Sequence, residues 1–229
     1  AAYDDLSVPP LIEKFIFLGS SCIYPKFASQ PIKEDSLLTN TLEPTNQWYA
    51  IAKISGVKLC EAIRKQFNKD FVSLMPTNLY GPFDNFDLKT SHVMPAMIRK
   101  FHEAKLDNNR SVILWGSGKP MREFLHVNDL AKAVLFTVKN KLPDNLYNIG
   151  TGKDITINEL ALLIQKIVGH EGEIIWDSTK PDGTPRKLLD VSKINDLGWT
   201  SYINLKNGIE ETYKWFCDNV EHIKEVSIK

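Results

Sequence analysis

The feature that most constrains this chain is an alternation. Short apolar runs without polar interruption are followed by longer stretches whose apolar residues recur at helical spacing. Phe15 to Gly19 (FIFLG) and Phe71 to Met75 are two such runs, and each reads as a strand covered on both faces. Between them, residues from about Asn46 to Asn68 place Ile51, Ile54, Val57 and Ala62 on one apolar stripe of a helix. Further helices are predicted at Val93 to Ala104, Asn128 to Asn140, Ile157 to Val168 and Leu205 to Val220, the third opened by the capping box Thr156-Ile-Asn-Glu159. Strands are predicted at Val112 to Trp115, Phe124 to Val127, Leu146 to Ile149 and Glu173 to Trp176. Such an order builds an α/β fold, a parallel sheet flanked by helices. The polar loops Gly81 to Ser91 and Lys180 to Lys187 are the expected crossings between a sheet domain and a smaller one.

Composition removes several classes of function. With 229 residues, 43% hydrophobic and 24% charged, the chain has enough apolar material for a core and is not a disordered or fibrous sequence. Lys plus Arg and Asp plus Glu both number 28, so no overall positive field argues for nucleic acid as a partner. No apolar run approaches the roughly 20 residues needed to cross a bilayer. The opening AAYDDLSVPP has neither the basic flank nor the apolar centre of a signal peptide, and the cytoplasm is the expected compartment. Cys22, Cys60 and Cys217 are odd in number and far apart, so neither a disulfide framework nor a metal-binding pair is indicated.

Tyr49 and Lys53 form a Y-x-x-x-K spacing within YAIAK. On a helix, positions four apart share a face, so an ammonium is carried beside a phenol. A tyrosine, with a reference pKa of about 10, needs a neighbouring cation to exchange a proton usefully near neutrality. Upstream, the first apolar run ends in GSSCIYP, which places serine hydroxyls at the C-terminal end of a strand. That end is where open α/β sheets do their chemistry.

With these motifs in place, the sequence resembles the extended short-chain dehydrogenase/reductases, and among them the GDP-L-fucose synthases. The resembling segments are FLGSSCIYP, LEPTNQWYAIAK, MPTNLYGPFDNF, SHVMPAMIRKFHEA, WGSGKPMREFLHVNDLA, NIGTG and KPDGTPRKLLD. The resemblance implies a Rossmann-like doubly wound parallel sheet, N-terminally incomplete, with a smaller α+β substrate-binding domain. It assigns residues 1–90 to the NADP-binding domain, with about 123–150 returning to it, and 91–122 and 151–229 mainly to the substrate domain. It also implies a homodimer, in which the helix carrying Tyr49 and Lys53 offers a second apolar face to its twin.

The implied activity is conversion of GDP-4-keto-6-deoxy-D-mannose to GDP-L-fucose with NADPH. Ser20, Tyr49 and Lys53 correspond to the family's catalytic set, and Cys22 and His92 to the additional acid and base. The C4 ketone acidifies the protons at C3 and C5, and inversion needs one group to remove a proton and another to return it from the opposite face. Thiol and imidazole, with reference pKa values of about 8.5 and 6.5, suit that exchange. By the same correspondence Leu18, Gly19, Ser20, Ser21, Tyr49, Lys53, Pro76, Thr77, Asn78, Leu79 and His92 line the cofactor. Asn78, Lys100, Trp115, Arg122, Asp182 and Lys187 meet the nucleotide sugar. Lys100 stands where a relative carries arginine, which gives up bidentate phosphate binding there.

Taken singly, several of these residues also have a purely architectural reading. Cys22 serves as a small buried residue, His92 and Ser20 as caps, and Trp115 as core. The family's glycine-rich dinucleotide turn is absent, because GSG (Gly116, Gly118) and GTG (Gly150, Gly152) do not open a first strand-to-helix turn. Three readings follow: a partial copy of a fucose synthase, which is the favoured one; another nucleotide-sugar epimerase or dehydratase; or a non-catalytic subunit that has lost cofactor binding.

Overall fold

A computed structural model describes residues 11–223; the opening segment read for targeting features lies outside the described residues. In chain order the strands are β1 (Lys14–Leu18), β2 (Asp70–Pro76), β3 (Asn78–Tyr80), β4 (Ser111–Trp115), β5 (Met121–His126), β6 (Leu146–Ile149), β7 (Asp154–Thr156), β8 (Glu173–Asp177) and β9 (Arg186–Lys187). The helices are α1 (Gln47–Phe67), α2 (Val93–Leu106), α3 (Val127–Lys139), α4 (Ile157–Val168), α5 (Ser192–Asn195) and α6 (Leu205–Asn219). They sort into two units. The first takes Ala1–Asn78, Asp129–Gly152 and Leu188–Ser201; the second takes Leu79–Asn128, Lys153–Lys187 and Tyr202–Lys229.

The first unit is built on three parallel strands in the order β1-β2-β6, with Phe15 opposite Phe71 and Pro76 opposite Ile149. β2 is central, and from Phe71 to Pro76 it is fully buried, as its unbroken apolar run requires. β1 departs from expectation. It is the outer strand of the three among the described residues, and Phe15 and Leu18 stay about 40% exposed rather than covered on both faces. α1 lies against this sheet through Ile54, Val57 and Ala62, while Ile51, at the margin of that stripe, remains exposed. Gly56 sets the closeness of the contact, because a Cβ there would overlap the ring of Phe17 on β1. The helix ends at Asn68 in a left-handed conformation, φ 53°.

Asn148, fully buried on β6, joins distant segments of this unit. Its Oδ1 accepts from the Tyr24 hydroxyl at 2.6 Å, and its Nδ2 donates to the carbonyls of Ile32 at 2.9 Å and Asp190 at 3.1 Å. Its backbone N–H donates to Glu34 Oε1 at 2.9 Å. Every polar atom of this buried amide is thereby satisfied, as a buried group of its kind requires. Burial raises the pKa of Glu34 and of Tyr24.

In the second unit β4 and β8 run parallel, and a further sheet has the order β3-β5-β7, with β9 also pairing with β5. Phe86, Met97, Ile98, Phe101, Leu160, Ile164, Ile209 and Phe216 form its core among α2, α4 and α6. The predicted capping box closes: Thr156 Oγ1 accepts from Glu159 N, and the Glu159 carboxylate accepts from Thr156 N.

The division of the chain differs from the expected boundaries in three places. Residues 123–128 join the second unit, where the start of β5 is registered against β7 and β9 and Phe124 is part of the core. Residues 188–201 join the first, where Leu189 bridges to Ile32 and Asp190 N donates to the Ile32 carbonyl. Residues 79–90, expected in the first, belong to the second, where Phe86 is part of the core. Val127 opens α3 instead of ending a strand.

Candidate active site

At the end of β1 the chain makes a tight transition. Gly19 N donates to Leu74 O at 2.9 Å, continuing the ladder by one rung. Gly19 is buried, and a Cβ there would overlap the Met75 side chain. Ser20 follows in extended conformation and caps a single 3-10 turn, Ser21–Ile23, its Oγ accepting from Cys22 N at 3.2 Å. The turn buries Ser21 and Ile23 and leaves Cys22 partly exposed, so Cys22 is not a sealed core residue. Ser20 does act as a cap, which satisfies the turn and fixes the direction of its hydroxyl.

α1 brings Tyr49 and Lys53 to the same strand end. Lys53 Nζ donates to the Leu18 carbonyl at 2.9 Å and lies 5.7 Å from the Tyr49 ring centroid and 5.3 Å from that of Phe17. The phenol stands open, Tyr49 being 47% exposed. The contact at Gly56, one turn further along, sets how near the ammonium comes to the strand. Pro76 and Thr77 continue β2 at the same C-terminal edge of the parallel sheet, with Thr77 N donating to Ile149 O at 3.0 Å. Asn78 and Leu79 fall on either side of the boundary between the two units.

His92, in the second unit, immediately precedes α2 at its N-cap position. Its imidazole makes no capping bond and is exposed, so capping is not its role. Asp84, on the loop before it, has a carboxyl pushed up by burial, and a favourable interaction with His92 opposes that rise.

The remaining polar residues of the second unit gather at two places. At the C-terminal end of β4, Trp115 is 65% exposed and is not core. Lys100 Nζ donates to Ile113 O at 3.0 Å and lies 5.8 Å from the Trp115 centroid; burial lowers its pKa. Asp182 accepts from Ser117 N and Ser117 Oγ, each at 2.7 Å, and these bonds hold its carboxyl below the usual range. The GSG glycines are explained here. Gly116 and Gly118 take φ of +83° and +72°, and a Cβ would meet Asp182 at the first and Trp176 at the second. The other cluster is a cross-strand pair, Arg122 on β5 registered opposite Lys187 on β9. The Arg122 guanidinium donates to the Met121 carbonyl at 2.7 Å and acts electrostatically on Asp182.

The donor set of the first unit fits the nicotinamide half of a dinucleotide: hydroxyl, phenol and ammonium meet at the C-terminal edge of parallel strands, the usual ligand position in such sheets. Among the described residues no glycine-rich turn follows β1, which leads into the 3-10 turn. Sequence reasoning did not single out Asp84, Ser117 or Lys180, the last of which also lies against Trp115, at 5.5 Å. Nothing in its sequence spacing marks that contact.

Several known proteins are similar to this chain. A probable GDP-L-fucose synthase 1 from Oryza sativa subsp. japonica is 56% identical over 214 residues, covering 93% of this chain and 65% of the relative. The chain therefore spans just under two thirds of the length of that relative. The crystal structure of a GDP-6-OMe-4-keto-L-xylo-heptose reductase from C. jejuni superposes with a TM-score of 0.85 at 36% identity, covering 91% of this chain and 71% of that one. A GDP-L-fucose synthetase from Naegleria fowleri bound to NADP superposes with a TM-score of 0.84 at 28% identity, covering 93% and 69%. Residues 9–150, more than half of the sequence, match the NAD dependent epimerase/dehydratase family, and the chain belongs to it.

Proposed function

We propose that this chain carries the catalytic machinery for 3,5-epimerisation and NADPH-dependent 4-reduction of GDP-4-keto-6-deoxy-D-mannose to GDP-L-fucose. The single observation that carries the reading is the Lys53 ammonium, bonded to the Leu18 carbonyl at the end of β1 and lying beside an open Tyr49 phenol. The relatives named above support the choice of a GDP-sugar and of NADP(H).

In the epimerisation half, Ser20 and Tyr49 donate hydrogen bonds to the C4 carbonyl oxygen and stabilise the enolate formed when a proton leaves C3 or C5. Cys22 and His92 exchange those protons, one removing and the other returning from the opposite face. The part given to His92 rests on the sequence correspondence. NADPH supplies the hydride to C4 when bound. Tyr49 gives its phenolic proton to the resulting alkoxide, and Lys53 offsets the charge left on the phenolate. Leu18, Gly19, Ser20, Ser21, Pro76, Thr77, Asn78, Leu79 and His92 would line the cofactor, while Arg122, Lys187 and Lys100 take the diphosphate and Trp115, Asp182 and Asn78 the rest of the nucleotide sugar.

Two further assignments belong to the same proposal. α1 leaves Trp48 and Leu59 exposed away from its buried face and Ile51 exposed at the margin, and pairing of that surface with a second copy gives a homodimer. A cytoplasmic setting accords with three free thiols. Among the described residues no helix is long and apolar enough to cross a membrane.

The test is incubation of the protein with GDP-4-keto-6-deoxy-D-mannose and NADPH. Appearance of GDP-L-fucose with stoichiometric cofactor oxidation is expected. Formation of an uninverted 4-hydroxy sugar nucleotide would instead favour the reading as a C4 reductase alone.

A further inference from the structure

Two lysines share the exposed ring of Trp115, and they are held differently. The Lys100 ammonium is anchored to the carbonyl of Ile113 at 3.0 Å. Lys180 is exposed on the loop after β8, with its Nζ 5.5 Å from the Trp115 centroid. Among the described residues, no carboxylate lies within ion-pair distance of its ammonium.

Asp177, whose carboxylate attracts Lys180 from beyond ion-pair distance, and Asp182 both accept hydrogen bonds from other groups. Asp177 Oδ1 accepts from Thr179 N at 3.1 Å and Thr179 Oγ1 at 2.5 Å. The Asp182 oxygens accept from Ser117. The main chain at this point is fixed, because Lys180 N donates to Asp177 O at 3.2 Å. Only the side chain is free to respond to a ligand.

A cation over an exposed aromatic face is weakly held, and a multiply charged phosphate attracts it more strongly. We propose that Lys180 is a specificity-determining residue whose ammonium leaves the Trp115 ring for the diphosphate of a nucleoside diphosphate-sugar. The inference rests on the GDP-sugar reading given above and adds to it a contact that reads the charge of the ligand rather than its base. Lys180 thereby distinguishes a nucleoside diphosphate from the uncharged nucleoside. The loop stays in place while the side chain turns, so the discrimination needs no rearrangement of the fold.

The experiment is titration calorimetry of the chain with GDP and with guanosine, for the wild type, Lys180→Met and Lys180→Arg. Methionine keeps an apolar stem against the indole and removes the charge, and arginine restores it. Lys180→Met is expected to weaken GDP about tenfold while leaving guanosine unchanged, and Lys180→Arg to recover most of the loss. Equal GDP affinity in the wild type and Lys180→Met overturns the inference alone. So does an equal loss for GDP and guanosine, which would make Lys180 a support for Trp115. A wild-type chain that binds no GDP overturns the nucleotide reading itself, and this inference with it.

Discussion

Lys53 Nζ donates a 2.9 Å hydrogen bond to the carbonyl oxygen of Leu18, so the ammonium beside Tyr49 is held by the backbone of the strand that leads to Ser20. The arrangement joins two elements that the sequence separates by 35 residues, and any change in how α1 lies on β1 reaches the reacting groups.

Separation of the two half-reactions is the first consequence. Cys22→Ala should remove most exchange of the C3 and C5 protons and leave Ser20, Tyr49 and Lys53 able to assist reduction. Tyr49→Phe should lower reduction by about a hundredfold or more while proton exchange persists. Deuterium wash-in at C3 and C5, followed by NMR alongside cofactor oxidation, reads both. Wild-type exchange at both positions in Cys22→Ala would reduce the thiol to packing.

Gly56 gives a prediction about stability and activity together. Gly56→Ala gains about 1 kcal/mol of helix propensity but presses a methyl group into the Phe17 ring, and overpacking costs about 1–3 kcal/mol. A net loss in urea midpoint with a fall in kcat is expected. Phe17→Leu in the same chain should restore part of both, because the obstructing ring edge is gone. Equal loss in the single and double variants would place the defect elsewhere.

Glu34 provides a pH dependence. Burial raises its carboxyl above its unfolded value, although the Asn148 N–H and Lys193 oppose the rise. A group raised in this way contributes its stability at pH below the usual carboxylate range, and loses it as pH climbs through the folded value. Glu34→Gln keeps an acceptor for Asn148 N and removes the ionisation. Its melting temperature should exceed that of the wild type at pH 7 and converge with it near pH 4, as thermal scans across that range will show.

The registered pair Arg122 and Lys187 should behave as one anion receptor. Replacing either by methionine should weaken GDP about tenfold or more. The double variant should lose less than the product of the two, because neighbours on one ligand are not additive. Calorimetry at low and high salt checks this, with the salt dependence falling in each variant.

Much of this architecture is legible in the sequence where one segment carries its own signal. The capping box fixes the start of α4, and Gly169, with φ 76°, marks its end, so its bounds match the expectation of Ile157 to Val168. The apolar run of β2 and the stripe of α1 are equally local. β7 and β9, of three and two residues, are too short to show a period and exist only because β5 pairs with them. Phe124 likewise joins the second unit's core through residues distant in sequence. Within the site, Tyr49 and Lys53 are readable because a helix makes their spacing meaningful. Lys180 is not, since its place over Trp115 is set by the parallel pairing of β4 with β8 and the loop that follows.

The four hydrogen bonds of Asn148 have a consequence for biosynthesis. Three from its side chain and one from its backbone N–H bind this β6 residue to Tyr24, Ile32, Asp190 and Glu34, residues far apart in the chain. As the polypeptide leaves the ribosome, β1 and β2 emerge early, yet the segment that completes their unit is made only after most of the second unit has been translated. The nascent chain must carry Ile32 and Asn148 without their Leu189 and Asp190 partners through that interval. Chaperone occupancy should therefore be greatest on intermediates that stop short of Asp190.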